Sequence, residues 1–93
     1  MIRVIVCDDQ EIVCQGLTTI LNSDPEIKVV ATANDGQEVQ ELVATHQPDL
    51  VLMDLKMPEV NGIQATQKIR SSFPHIKVLV LTTYDDDEWL FDA

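Results

Sequence analysis

Leu50-Val51-Leu52-Met53-Asp54 is an unbroken apolar run that ends on a carboxylate. Its length and branching suit a strand buried on both faces, as in a parallel sheet. Two similar runs flank it, Ile2–Cys7 (IRVIVC) and Ile76–Leu81 (IKVLVL). A fourth, Ile27–Ala33 (IKVVATA), alternates more and carries Lys28, which places it near an edge.

Between the runs lie segments with helical spacing. Val13, Leu17, Ile20 and Leu21 share a face of a helix from about Glu11 to Leu21. Val39, Leu42 and Val43 mark a second, from about Gly36 to His46, and Ile63, Thr66, Ile69 and Phe73 a third, from about Gly62 to Ser72. Breakers separate them at Ser23-Asp24-Pro25, Asn34-Asp35-Gly36, Gln47-Pro48-Asp49, Pro58 with Asn61-Gly62, and Phe73-Pro74-His75. The order is β-α-β-α-β-α-β, with strand starts roughly two dozen residues apart, the scale of right-handed βαβ units. Asp85-Asp86-Asp87-Glu88 reads as the start of a fourth helix, followed by Trp89-Leu90-Phe91-Asp92-Ala93. In an alternating fold this reads as a chain cut short.

The chain has 93 residues, the size of one small domain. Six Lys+Arg against sixteen Asp+Glu give a net charge of −10, which argues against binding DNA, RNA or an anionic membrane by counterion release. Hydrophobic content of 45% excludes disorder. No apolar run approaches the ~18 residues of a spanning helix, and the first run is too short for a signal sequence. With two Cys and no export signal, the expected compartment is the reducing cytoplasm. Cys7, on a core strand, and Cys14, on the first helix, are expected to be buried small hydrophobes. His46 and His75 lack the ligand spacing of a metal site.

Open α/β sheets bind ligands outside the carboxyl ends of their strands, where the strand order reverses. The first strand ends in Asp8-Asp9, the third in Asp54 and the fourth in Thr82-Thr83. If these strands are neighbours, three carboxylates and two hydroxyls meet at one sheet edge. Two unit charges ~4 Å apart repel by about 4 kcal/mol at an effective dielectric near 20. Such a site needs raised pKa values or a cation, and all-oxygen ligands with room for water suit Mg²⁺. Taken singly, Asp8 or Asp9 could instead cap the helix starting near Glu11, and the threonines could be ordinary strand residues.

The ordered set of Asp8-Asp9, Asp54-Leu55-Lys56-Met57-Pro58 with Gly62, Leu81-Thr82-Thr83 and Tyr84-Asp85-Asp86-Asp87-Glu88 resembles the receiver domain of two-component response regulators. The nearest subfamily has a LuxR/NarL-type helix-turn-helix output, and the resemblance spans all 93 residues. It implies a flavodoxin-like (CheY-like) doubly wound parallel α/β sheet of order 2-1-3-4, with a fifth strand and final helix missing, in one incomplete domain, 1–93, without its DNA-binding output domain.

It also implies a phosphorylation switch in a transcriptional regulator rather than an enzyme. Asp54 would accept a phosphoryl group from a sensor histidine kinase. Asp9, Asp54 and the backbone carbonyl of Lys56 would hold Mg²⁺, with Asp8 assisting. Thr82 would report phosphorylation through its hydroxyl, and Thr83 would leave access to the site. The family's essential Lys would fall beyond Ala93, which impairs the expected self-phosphorylation and self-dephosphorylation. An unpaired fourth strand predicts self-association or domain swapping through that edge. Two other readings compete. One is an assembly module without phosphorylation. The other is a small Mg²⁺-dependent phosphohydrolase using an aspartyl phosphate, disfavoured because Lys56 stands where haloacid dehalogenase-type hydrolases carry a second Asp.

Overall fold

β1 (Ile2–Cys7), β2 (Ile27–Ala33), β3 (Leu50–Asp54) and β4 (Lys77–Leu81) form a parallel sheet of order β2-β1-β3-β4 in the computed structural model, which describes residues 1–54 and 59–81. The helices between them are α1 (Glu11–Asn22), α2 (Gly36–His46) and α3 (Glu59–Ser72). Thus β1 and β3 lie inside the sheet and β2 with its Lys28 lies at an edge, as their composition predicts, whereas β4, an equally apolar run, borders the sheet among the described residues and leaves Leu79 52% exposed. The fourth helix and Trp89 and Phe91 fall outside the described residues.

The alternation of side chains along β1 divides the core in two. Ile5 and Cys7 pack with Val39 and Val43 of α2, Val51 and Met53 of β3, and Ala65 and Ile69 of α3. Val4 and Val6 face the other way, onto Cys14 of α1 and Leu52. The β1–β2 register slips between Val4↔Val29 and Ile5↔Ala31, so Val30 is an extra residue on the edge strand.

Three boundaries differ from the expected ones. The third helix begins at Glu59 rather than Gly62, the first runs to Asn22, and the fourth strand begins at Lys77 rather than Ile76. Two expected core residues are also displaced. Ile20 is 68% exposed and Ile63 47% exposed. On α1 the buried stripe centres on Cys14, with Leu17 and Leu21 beside it, and Ile20 lies around the helix from that stripe. On α3 the inward positions are Gly62, Ala65 and Ile69. Periodicity weighted by side-chain size favoured the bulky Ile63, but a helix closely packed on α2 turns its small residues inward.

Arg3 ties the lower end of β1 to α2. Its guanidinium donates to the carbonyls of His46 at 2.7 Å and Gln47 at 3.3 Å, and its N–H donates to Asp49 Oδ2 at 2.9 Å. A cation on the last carbonyls suits the negative end of the helix dipole. Gln47 ends α2 in the left-handed region, at φ 49°.

Candidate functional site

Cys7 of β1 is in register with Met53 of β3 and with Ala33 of β2. The residue after each partner therefore emerges at the same end of the sheet: Asp8, Asp54 and Asn34. Asp54 is placed here through its backbone, which pairs with Leu81 at the end of β4. Parallel pairing thus brings the carboxyl ends of β1, β3 and β4 together, as the acidic-site reading requires.

Asp8 is 4% exposed, the one buried acidic residue among those described, while Asp9 is exposed. Asp8 Oδ1 accepts the Gln10 N–H at 2.8 Å, and its own N–H donates to the Ala33 carbonyl at 3.0 Å. The simple capping alternative is not what the chain adopts. Gln10 is the N-cap of α1 and its own side chain makes no cap hydrogen bond, while Asp8 accepts the Gln10 N–H, so the two aspartates are held in a turn between strand and helix. Among the described residues, no three His, Cys, Asp or Glu side chains form a metal-holding group. Asp8 and Asp9 are two carboxylates on this turn, and the strand register sets the backbone of a third acidic residue, Asp54, at the same end of the sheet. This all-oxygen donor set fits Mg²⁺. Lys56, Thr82 and Thr83 lie outside the described residues.

Residues that sequence reading did not assign to the site also converge on it. Asn34 Nδ2 donates to the Asp8 carbonyl at 3.1 Å and to Glu11 Oε2 at 3.4 Å. The Asn34 N–H donates to Glu38 Oε1 at 2.7 Å, and the Glu38 N–H to Asp35 Oδ1 at 2.7 Å. Asn34-Asp35-Gly36 reads in the sequence as a breaker. An Asp followed three residues later by Glu is also the signature of a reciprocal helix cap, and it was the available signal.

Cys7 and Cys14 are both buried and not joined in a disulfide, and they lie on opposite sides of the sheet. Burial, then the neighbouring Cys14, Asp35, Asp8 and Glu38, push the Cys7 thiol from an ordinary value of 9.0 up to about 12. Burial and Asp8 also raise Cys14, against a lowering hydrogen bond to the Asp8 backbone. In the unfolded chain these thiols ionise first. The Cys7 contribution to stability is therefore complete below about 9 and lost as pH rises towards about 12. Denaturant unfolding across that range is expected to lose up to ~1.4 kcal/mol per pH unit more in the native sequence than in Cys7→Ala. Equal slopes would contradict the assignment.

With this geometry in place, the comparison with known proteins is decisive: residues 4–93 match the description "Response regulator receiver domain". The chain belongs to that family. Relatives of this receiver domain are regulators of the NarL/LuxR type. The transcriptional regulatory protein LnrK of Bacillus subtilis is 46% identical over 93 residues, which is all of this chain and 42% of that protein. The oxygen regulatory protein NreC of Staphylococcus haemolyticus is 47% identical over 90 residues, covering 96% of this chain and 42% of that protein. The structure of a LuxR-family two-component response regulator from Aurantimonas sp. superposes with a TM-score of 0.86 at 32% identity, covering 98% of this chain and 65% of that one. The chain therefore spans less than half the length of these curated relatives. Its four parallel strands in order 2-1-3-4 agree with the CheY-like receiver fold. No helix among the described residues is long and apolar enough to cross a membrane.

Proposed function

We propose that this receiver domain accepts a phosphoryl group on Asp54 from a phosphohistidine of a sensor kinase, as the switch of a cytoplasmic transcriptional regulator. The observation that carries the reading is the register Cys7↔Met53, which sets Asp54 beside the Asp8-Asp9 turn. A carboxylate oxygen of Asp54 attacks phosphorus, the bond from phosphorus to the donor breaks, and the donor leaves with that electron pair. Asp9, Asp54 and the Lys56 carbonyl would hold Mg²⁺ and Asp8 would support it. When bound, the metal offsets negative charge on the phosphoryl oxygens and on the nucleophile.

Asp8, buried and fixed by the Gln10 N–H, keeps the turn from opening into solvent. Thr82 donates its hydroxyl to the transferred group, and Thr83 keeps the approach to Asp54 open. The output is then a population shift that the rest of a longer regulator reads. This is a switch that turns over only its own phosphoryl group. DNA binding belongs to an output domain outside residues 1–93, consistent with the charge of −10 on this chain. β4 borders the sheet among the described residues, and Leu79 is 52% exposed. Pairing of two copies along that edge is the form of self-association this geometry permits.

Intact-mass measurement after incubation with a small acyl phosphate tests the reading. A gain of one phosphoryl group that requires Mg²⁺ and is lost in Asp9→Asn is the expected result. A gain that is indifferent to both would refute the metal-dependent site. Continuous phosphate release from generic phosphate esters would instead favour the phosphohydrolase.

A further inference from the structure

The Asp8 carbonyl accepts two hydrogen bonds from outside its own turn. Asn34 Nδ2 donates at 3.1 Å and Cys14 Sγ at 3.5 Å. The thiol is a weak donor, so the amide is the stronger hold on this carbonyl. Asn34 spends its other amide hydrogen on Glu11 Oε2, at 3.4 Å, and so bridges the first residue after β1 to the first turn of α1. Both acceptors demand a donor, which settles which end of the amide faces them.

Asn34 is itself anchored. Its N–H is held by Glu38 Oε1 at 2.7 Å, and Glu38 is locked at the start of α2 by the Asp35 cap. A continuous chain of hydrogen bonds thus runs from the N-terminus of α2, through Asn34, to the peptide joining Asp8 to Asp9. That peptide sets the direction in which the exposed Asp9 carboxylate points. A small rotation there moves a ligand oxygen by a sizeable fraction of an ångström, against the strict octahedral demand of Mg²⁺.

We propose that Asn34 is a positioning residue for the acidic Asp8-Asp9 turn. Anchored by Glu38, it fixes the Asp8–Asp9 peptide so that Asp9 meets a divalent cation in a preset direction. The inference rests on the Mg²⁺-site reading above. Outer partners that orient metal ligands commonly change affinity by about ten-fold or more when lost. Asn34 touches neither the metal nor the transferred group, so its signature is metal affinity, recovered at high Mg²⁺.

Calorimetric titration of the protein with MgCl₂ alone, paired with thermal melts in EDTA, tests this. Asn34→Ala is expected to weaken Mg²⁺ binding about ten-fold. Acyl-phosphate labelling of the same variant should be slow at low Mg²⁺ and return to the native rate at saturation. Glu38→Ala should weaken binding in the same sense, and Glu38→Gln, which keeps the accepting oxygen, should restore it. Asp24→Ala removes a turn bond to the Glu26 N–H at the far end of the sheet and serves as the control for stability loss alone.

A lowered melting temperature in Asn34→Ala with native Mg²⁺ affinity would overturn the proposal and leave a purely structural role. If Asn34→Ala does not melt cooperatively, the Glu38→Ala and Glu38→Gln pair decides, and equal affinities there overturn it. Saturable Mg²⁺ binding by the native protein that is lost in Asp9→Asn upholds the underlying site whatever Asn34 does. Absence of that binding refutes site and proposal together.

Discussion

Asp54→Asn is expected to reduce Mg²⁺-dependent phosphoryl labelling to background while leaving the fold intact. The amide is nearly the same size as the carboxylate, so the end of β3 is not asked to repack. What it lacks is a nucleophilic carboxylate oxygen. Neither Asp8 nor Asp9 can substitute. Asp8 is 4% exposed and already accepts the Gln10 N–H, and under the proposed reading Asp9 is taken up by the metal. The measurement is intact mass with and without Mg²⁺, with a peptide map to place the adduct. An adduct of native yield in Asp54→Asn would remove the assignment. Absence of any adduct on the native chain would instead favour the reading of an assembly module that acts without phosphorylation.

The second large effect concerns the core. Ile5 is fully buried on the inner strand β1, in one core cluster with Val39, Val43, Val51, Met53, Ala65 and Ile69. Ile5→Ala removes three carbons from a site enclosed by the neighbouring strands and α2, which cannot all collapse inwards. The expected loss is about 3–4 kcal/mol, within the ~2–5 kcal/mol of buried aliphatic truncations. Against a usual domain stability of ~5–15 kcal/mol this is a large share, on the order of 12–30 °C in melting temperature for a domain this small. Ile20→Ala is the matching control. Ile20 is 68% exposed, and its loss should change stability by no more than ~0.5 kcal/mol. Denaturant titration of the two variants separates them. Equal losses would mean that α1 packs differently from the arrangement described.

That pair of isoleucines marks where sequence reading stops. Ile5 was recognisable as core because a nearly continuous apolar strand inside a parallel sheet leaves little room for ambiguity. Both its faces are covered, so no choice of face arises. Ile20 and Ile63 were expected in the core and are exposed, because a helix presents residues all round its axis. Which 100° of that circle faces inward depends on what it packs against. The small residues Gly62 and Ala65 carry almost no hydrophobic signal, yet they are the ones buried on α3.

The acidic site divides in the same way. By itself the sequence determined the alternation of strands and helices, the edge position of β2, and an aspartate at the end of each of two inner strands. These are properties of local composition and order, and parallel pairing carries such strand ends to one side of the sheet. Tertiary structure decided the rest. It paired Cys7 with Met53, and so put Asp8 next to Asp54. It buried Asp8 and left Asp9 in solvent. It also drew Asn34 and Glu38, far along the chain, onto the Asp8 carbonyl and its anchor. The physical reason is that strand ends are set by local patterning. The hydrogen bonds that aim a carboxylate depend on groups brought together only when the sheet closes its register.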